Sequence, residues 1–230
     1  METVPHPYYP LGLKVVGYEA NQWHSITLIS FFASACATIF LATYLVVTKV
    51  RPKLTKSDLW TILWSVLSGC IHLFIEGYYV YNFRSMPSKQ DIFGQAWKVY
   101  SLSDSRYQFD NAFVFCMETI TAVFWGPLCI TIAVMITTRH PLRFPLQAIV
   151  SLGQLYSDVL YYGTSIFDHY MLEMSYSRPE PMFFWGLFVF LNAFWIMIPL
   201  TLIWTSLSAS KRAFTAVYEQ ETVKKVRKNR

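Results

Sequence analysis

Five long apolar runs, residues 26–47, 59–81, 113–136, 144–162 and 182–207, alternate with shorter polar connectors. Each approaches the length of about 20 residues that a helix needs to cross a hydrocarbon core of roughly 30 Å. Inside lipid every backbone N–H and C=O must find its partner within the chain, and helices do this segment by segment. The pattern therefore predicts an all-α membrane protein, a five-transmembrane-helix bundle over residues 25–209. Residues 1–24, with Pro5, Pro7 and Pro10, read as an irregular arm at the membrane surface, with Trp23 and His24 at headgroup level. Residues 210–230 read as a basic tail.

The connectors carry their own signals. Ser57 and Asp58 predict a helix N-cap before the second run. The 139–143 turn, with Pro141, is short enough to predict a tight hairpin between antiparallel helices. Residues 84–110 mix Trp97, Tyr100 and Tyr107 with Lys98, Asp104 and Arg106, and two readings stay open: a lid over the bundle, or an amphipathic surface segment with no part in chemistry. Pro127 and Pro199 fall inside the third and fifth runs and predict kinks that open space between helices.

Composition agrees with the pattern. Of 230 residues 54% are hydrophobic and 14% charged, where a soluble domain carries about a quarter charged residues. The first run starts late and is long, so it is expected to stay in the mature protein rather than be cleaved as a signal peptide. Of the 19 Lys and Arg, thirteen fall on one side: Lys49, Arg51, Lys53, Lys56, Arg139, Arg143, Lys211, Arg212, Lys224, Lys225, Arg227, Lys228 and Arg230. The remaining six are Lys14, Arg84, Lys89, Lys98, Arg106 and Arg178. This bias predicts a lumenal or external N-terminus and a cytosolic C-terminus. The net charge of +5 then faces anionic lipid headgroups, which argues against nucleic acid as a partner. Cys36, Cys70, Cys116 and Cys129 lie in apolar runs without paired spacing, so no metal site or disulfide framework is predicted. No nucleotide or cofactor motif is present, and no cofactor is expected.

Against that background His72, Glu76 and Glu118 stand in the middle of apolar runs, where a charge costs several kcal/mol unless it is partnered. His72 and Glu76, four residues apart, share a helix face. Glu118 and Thr121 share another, with Trp125 a turn further on, and Asn192 and Trp195 share a third. A buried carboxyl that stays protonated suits a general acid, and an indole face with carboxylates steadies a transient cation. Asp158, four residues after Gln154, either joins the same cavity or hydrogen-bonds Gln154 or a neighbouring helix as structural glue. Proton transfer to a lipid-soluble substrate without a cofactor points to double-bond isomerisation.

Several segments in order carry a family likeness: His72-Leu73-Phe74-Ile75-Glu76-Gly77, Asp104-Ser105-Arg106-Tyr107, Cys116-Met117-Glu118-Thr119-Ile120-Thr121, Trp125-Gly126-Pro127, Arg139-His140-Pro141-Leu142-Arg143, Gly153-Gln154-Leu155-Tyr156 with Asp158, and Asn192-Ala193-Phe194-Trp195. From about residue 60 to 200 the chain resembles the emopamil-binding protein family of sterol Δ8-Δ7 isomerases. That resemblance implies a five-helix bundle enclosing a sterol-binding cavity in the endoplasmic reticulum membrane. It implies catalysis by His72, Glu76 and Glu118, with Thr121, Asn192 and Trp195 binding substrate and stabilising the cation. It also implies a lid or cavity wall drawn from Trp97, Tyr100, Asp104, Arg106, Tyr107, Trp125, Tyr156 and Asp158. The partners it implies are a Δ8-sterol and amphiphilic cationic amines, and interhelical faces allow a homodimer. Two rivals are a non-catalytic sterol or amine-drug receptor of the same superfamily and a proton-coupled transporter. The full six-residue set speaks against the first, and the lack of an inverted repeat against the second.

Overall fold

A computed structural model describes residues 5–228, and every regular element among them is helical. We number the helices α1 (Ser25–Val50), α2 (Lys56–Ser88), α3 (Ile92–Tyr100), α4 (Ala112–Thr138), α5 (Arg143–Leu172) and α6 (Met182–Lys228). By length and composition α1, α2, α4 and α6 can each cross a membrane, and the chain is a membrane protein. α5 is long as well, but its buried side carries Gln147, Ser151, Gln154 and Asp158, which lowers its apolarity. α6 continues unbroken through residues 210–228, which are exposed.

Local chemistry sets the helix ends. Thr55, not Ser57 or Asp58, caps α2: its hydroxyl accepts from the Asp58 N–H at 3.1 Å. Asp58 is thereby free to accept from Arg143 at 2.6 Å, tying the start of α2 to the start of α5. Asn111 caps α4 by accepting from the Val114 N–H at 3.0 Å. Arg139 ends α4 in the left-handed region at φ 55°.

Three helices contain a wider π turn, at Ile71–Glu76 in α2, Thr121–Trp125 in α4 and Met182–Phe190 in α6. In α4 the cause is local. Pro127 lacks an N–H and its ring crowds the carbonyl four residues back, and a turn of larger radius relieves both. In α2 the freed Ile75 carbonyl accepts from Trp97 Nε1 at 2.9 Å. Such turns add a residue to the helix and rotate everything after them.

α2 and α4 approach closely because small residues face each other. A Cβ on Gly126 would stand 2.8 Å from Leu73 Cγ, and one on Gly69 2.8 Å from Ile130 Cδ1. Ile62, Cys129, Ile132, Ala133, Ile136 and Val150 form the core at the basic end of the bundle. At the opposite end an aromatic core gathers Tyr79, Trp97, Tyr107, Tyr161 and Phe188. α1 stands at the periphery, packed on α2 and α3, with only Leu28 and Val47 fully buried.

The N-terminal arm is strapped across α3. The Gln95 side chain accepts from the Gln22 and Trp23 N–H groups at 2.8 and 3.0 Å, and its carbonyl accepts from Asn21 at 2.9 Å. Lys98, itself buried, donates to the Glu19 carbonyl at 2.8 Å, and Tyr8 donates to the Lys98 carbonyl at 3.2 Å. Lys98's pKa is lowered, because burial of the ammonium outweighs the attraction of Glu19 and Asp91.

Candidate functional site

α2 presents a stripe at every fourth residue: Trp64, Ser68, His72 and Glu76. Across the π turn His72 Nδ1 meets Glu76 Oε2 at 2.7 Å, while Nε2 meets Ser68 Oγ at 3.1 Å and the Gln154 amide nitrogen at 2.9 Å. Gln154 donates in turn to Ser68 at 2.9 Å, so the imidazole is clamped on both nitrogens. It is 2% exposed, and its ring lies 6.2 Å from Trp195, edge to face.

Glu118 comes from α4 three residues before its π turn begins, and is 4% exposed. Its Oε1 accepts from the Tyr107 hydroxyl at 2.5 Å, and its Oε2 from Thr121 at 3.3 Å. Burial and the Glu118 carboxylate hold the Tyr107 phenol well above its usual pKa, so it donates at every physiological pH. Glu76 lines the same cavity as Thr121 and Glu118, where α2 and α4 pack against each other. The set therefore forms one array: a His–Glu dyad on α2 opposite a Tyr-and-Thr-supported carboxyl on α4.

Both halves open on a single chamber of about 660 Å³, within the range of small-molecule sites. Its walls come from α1 (Phe32, Cys36), α2 (Trp64, Ile71, His72, Glu76), α3 (Phe93, Trp97, Tyr100), α4 (Met117, Glu118, Thr121), α5 (Gln154, Asp158, Tyr161) and α6 (Asn192, Trp195, Ile198). Tyr107 closes it from the loop. Most of this lining is apolar, and a charge that develops inside is screened by little water.

Asn192 meets neither carboxyl: its amide donates to the Tyr100 hydroxyl at 2.9 Å and to the Phe188 carbonyl at 2.7 Å. Tyr100 and Tyr161 share a hydrogen bond at 3.2 Å, so Asn192 holds α3 to α5 and α6. Asp104 and Arg106 stand behind the chamber wall rather than in it. Both are fully buried, paired through Nε and Nη2 at 2.6–3.0 Å. Arg106 also donates to Thr164 at 2.7 Å and to the Tyr161 carbonyl at 3.2 Å, and its guanidinium lies over the Tyr161 ring at 4.8 Å. Burial opposes its charge, but Asp104 outweighs burial and raises the guanidinium pKa. This clamp fixes the next residue, Tyr107, over Glu118.

Two expected residues lie elsewhere. Trp125 is the last residue of the π turn, whose wider path rotates it off the Glu118–Thr121 face; its indole is seated on Gly153, where a Cβ would come within 2.4 Å of the ring. Tyr156 is 63% exposed on the outer side of α5 and lines no part of the chamber. Ser68, which meets His72, and Trp64 on the chamber wall are site residues that the sequence reading did not single out, although the fourfold spacing of 64, 68, 72 and 76 marks both. Among the described residues no group of His, Cys, Asp and Glu could hold a metal ion.

A membrane-embedded helical protein with an acid–base array in a largely apolar chamber is the class that fold and site define. The chain belongs to the EBP family, described as EXPERA, the expanded EBP superfamily, whose profile matches residues 92–206. It is 36% identical over 203 residues to the 3-beta-hydroxysteroid-Delta(8),Delta(7)-isomerase of Mus musculus, covering 87% of each chain. The proteins of the same name from Cavia porcellus and Rattus norvegicus are 33% identical over 209 residues and 35% over 207, covering 87–88% of this chain and 87% of theirs.

Proposed function

We propose that this protein is a sterol isomerase that moves a ring double bond from the Δ8 to the Δ7 position. The observation that carries the reading is the convergence of the His72–Glu76 dyad, Glu118 and Trp195 on one largely apolar chamber in a chain so similar to isomerases of that name. In the proposed mechanism an acid of the array adds a proton to carbon 9 of the Δ8 alkene, leaving a tertiary cation at carbon 8. Loss of a proton from carbon 7 to a base of the array then forms the Δ7 alkene. Atoms and electrons balance without any oxidant or reductant.

His72 with one of the glutamates carries the proton, because it is hydrogen-bonded to Glu76 and lines a largely apolar chamber. The carboxyls of Glu76 and Glu118 offset the positive charge of the intermediate, and the Trp195 face shelters it. Tyr107 and Thr121 orient Glu118, and Asn192 binds the lid helix α3 through Tyr100. The same arrangement favours amphiphilic ammonium ligands, whose charge would sit where the cation forms.

We further read α5 as a fifth membrane span, since Gln147 and Gln154 face inward onto Ser206, Ser68 and His72, Ser151 and Asp158 are buried on the same side, and Ile149, Leu152, Val159 and Ile166 are exposed on the other. The Lys and Arg bias supports a cytosolic C-terminus, and the sterol reading an endoplasmic reticulum membrane. We read residues 1–24 as a lumenal arm, 25–209 as the isomerase domain and 210–230 as a cytosolic tail, residues 1–4 and 229–230 lying outside the described residues.

The test is product analysis. Purified protein incubated with a Δ8-sterol in deuterated water should yield the Δ7 isomer with deuterium at carbon 9, without added cofactor. Glu118→Gln and His72→Ala should abolish turnover while the protein stays folded. Tight sterol binding by the wild type with no Δ7 product and no deuterium incorporation would reject the isomerase reading.

A further inference from the structure

Two residues of the chamber wall carry a buried polar side-chain atom with no hydrogen-bond partner among the described residues. Asp158 is 7% exposed, lines the chamber, and its Oδ2 is buried without a hydrogen-bond partner among the described residues. Trp195 lines the same chamber, and its Nε1 is likewise buried and unpartnered. Gln154, one turn before Asp158, commits its amide nitrogen to Ser68 and His72. Tyr162, one turn after, gives its hydroxyl to the Val189 carbonyl at 2.7 Å. Neither is available to the carboxyl, and the idea that Asp158 serves as glue to Gln154 fails.

The two orphans lie at one depth. α5 and α6 run antiparallel and are pinned at two levels: Gln147 donates to the Leu202 carbonyl and Ser206 at 3.2 and 2.9 Å, and Tyr162 to the Phe188 and Val189 carbonyls. Between these pins the register sets Asp158 opposite the Asn192–Trp195 turn. An unmet acceptor and an unmet donor thus flank the same stretch of an otherwise apolar space. A buried carboxyl and a buried indole N–H both lose stability when they lack a partner, and a ligand group that both donates and accepts would satisfy the two together.

A hydroxyl is the smallest such group. The substrate class named for the similar isomerases carries one, on carbon 3, and it is the polar mark on an otherwise hydrocarbon ring system. Carbon 3 belongs to the ring next to the one that reacts. Asp158 sits four residues, about 6 Å of helix, from the Gln154 that holds His72. That spacing suits a hydroxyl one ring away from the proton relay.

We propose that the Asp158 carboxyl accepts the hydrogen bond of the sterol 3β-hydroxyl, which in turn accepts from Trp195 Nε1 once the bound sterol turns the two side chains toward it, and that this pair sets the register of the rings against the His72 relay. The proposal rests on the isomerase reading and adds to it a residue that selects the hydroxylated substrate and fixes its orientation. Carboxyl and carboxylate both offer an acceptor oxygen, so the role does not depend on the protonation of Asp158.

The experiment compares a Δ8-sterol bearing the 3β-hydroxyl with the same sterol bearing hydrogen at carbon 3, in full-length wild type and in Asp158→Ala, Asp158→Leu and Asp158→Asn. Wild type should favour the hydroxylated sterol in kcat/KM by about 10- to 100-fold, as expected for a lost hydrogen bond to a charged or buried group. Asp158→Ala and the volume-filling Asp158→Leu should bring the two sterols to within about threefold of each other. Asp158→Asn, which keeps an acceptor oxygen, should retain most of the preference. An equal loss on both sterols, or a preference that survives in the Ala and Leu variants, overturns the assignment. The same preference is also read as ligand-induced thermal stabilisation, which needs no turnover. Preference without turnover would therefore reject the isomerase reading and leave the hydroxyl site standing, whereas turnover without preference would do the reverse.

Discussion

Replacing Arg106 with Met should be the most damaging single change outside the proton-transfer array. The guanidinium has no solvent contact to fall back on, and it makes five hydrogen bonds at 2.6–3.2 Å, three of them to a carboxylate that is itself wholly buried. Methionine fills similar volume but leaves Asp104 charged and unpaired, and breaking a buried pair from one side costs about 3–5 kcal/mol. For a chain of this size that corresponds to a fall in Tm of roughly 6–20 °C, at about 2–4 °C per kcal/mol. Activity should fall with stability, because Tyr107 follows directly in the chain and loses the anchor that aims its hydroxyl at Glu118. The assay is a thermal unfolding curve of detergent-solubilised protein alongside sterol turnover well below Tm. The partner mutation completes the logic: Asp104→Leu combined with Arg106→Met removes both charges and should recover most of the lost stability, since an apolar pair of similar volume can be nearly neutral there. A single Arg106→Met that shifts Tm by under 2 °C, or a double variant no better than the single, would refute this account of the clamp.

The other changes separate aim from packing and capping. Tyr107→Phe deletes the 2.5 Å hydrogen bond to Glu118 while keeping the ring in its aromatic cluster, so kcat should drop about 10- to 100-fold with Tm moved by only a few degrees; equal turnover would remove Tyr107 from the site. Gly126→Ala drives a methyl to 2.8 Å from Leu73 Cγ at the closest contact of α2 and α4, and should destabilise by about 1–3 kcal/mol in the same unfolding assay. At Asp91, the N-cap of α3, burial pushes the carboxyl pKa up, but the hydroxyl of Tyr78 and the N–H groups of Gly94 and Phe93 outweigh it and hold the pKa below its ordinary value. Its stabilisation of α3 is therefore complete above the unfolded-chain value near about 4 and is lost as pH falls through the lower folded value. Asp91→Ala should cost ~1 kcal/mol at neutral pH, seen as roughly fivefold faster hydrogen exchange of the α3 amides, and the difference from wild type should vanish at low pH. Gln95→Ala should free the N-terminal strap, since three hydrogen bonds from Asn21, Gln22 and Trp23 converge on that residue and two of them use its side chain; faster proteolysis within residues 14–24 is the readout, and unchanged cleavage would show that Lys98 and Tyr8 hold the strap alone.

Much of this protein is written in local spacing. Apolar runs of membrane length make helices obligatory, because no other structure satisfies their backbone in lipid, and the four-residue interval of Ser68, His72 and Glu76 assigns them to one stripe whatever surrounds it. The cost of a charge in hydrocarbon singles out His72, Glu76 and Glu118 before any neighbour is known. What spacing could not determine was everything that depends on rotation after an irregular turn or on which helix lies beside which. The π turn ahead of Pro127 swings Trp125 away from Glu118 onto Gly153, although regular periodicity puts all of them on one face. Tyr156 and Asp158, two residues apart, must lie on opposite sides of α5 by helix geometry, but which of them faces the chamber is decided by the pinning of α5 to α6 through Gln147 and Tyr162. Arg106 looks in the sequence like a loop charge and becomes a buried clamp through Asp104, Thr164 and Tyr161, the last two nearly sixty residues away. Hydrophobic periodicity is a property of neighbours along the chain, while a shared chamber is a property of neighbours across it, and only packing chooses those.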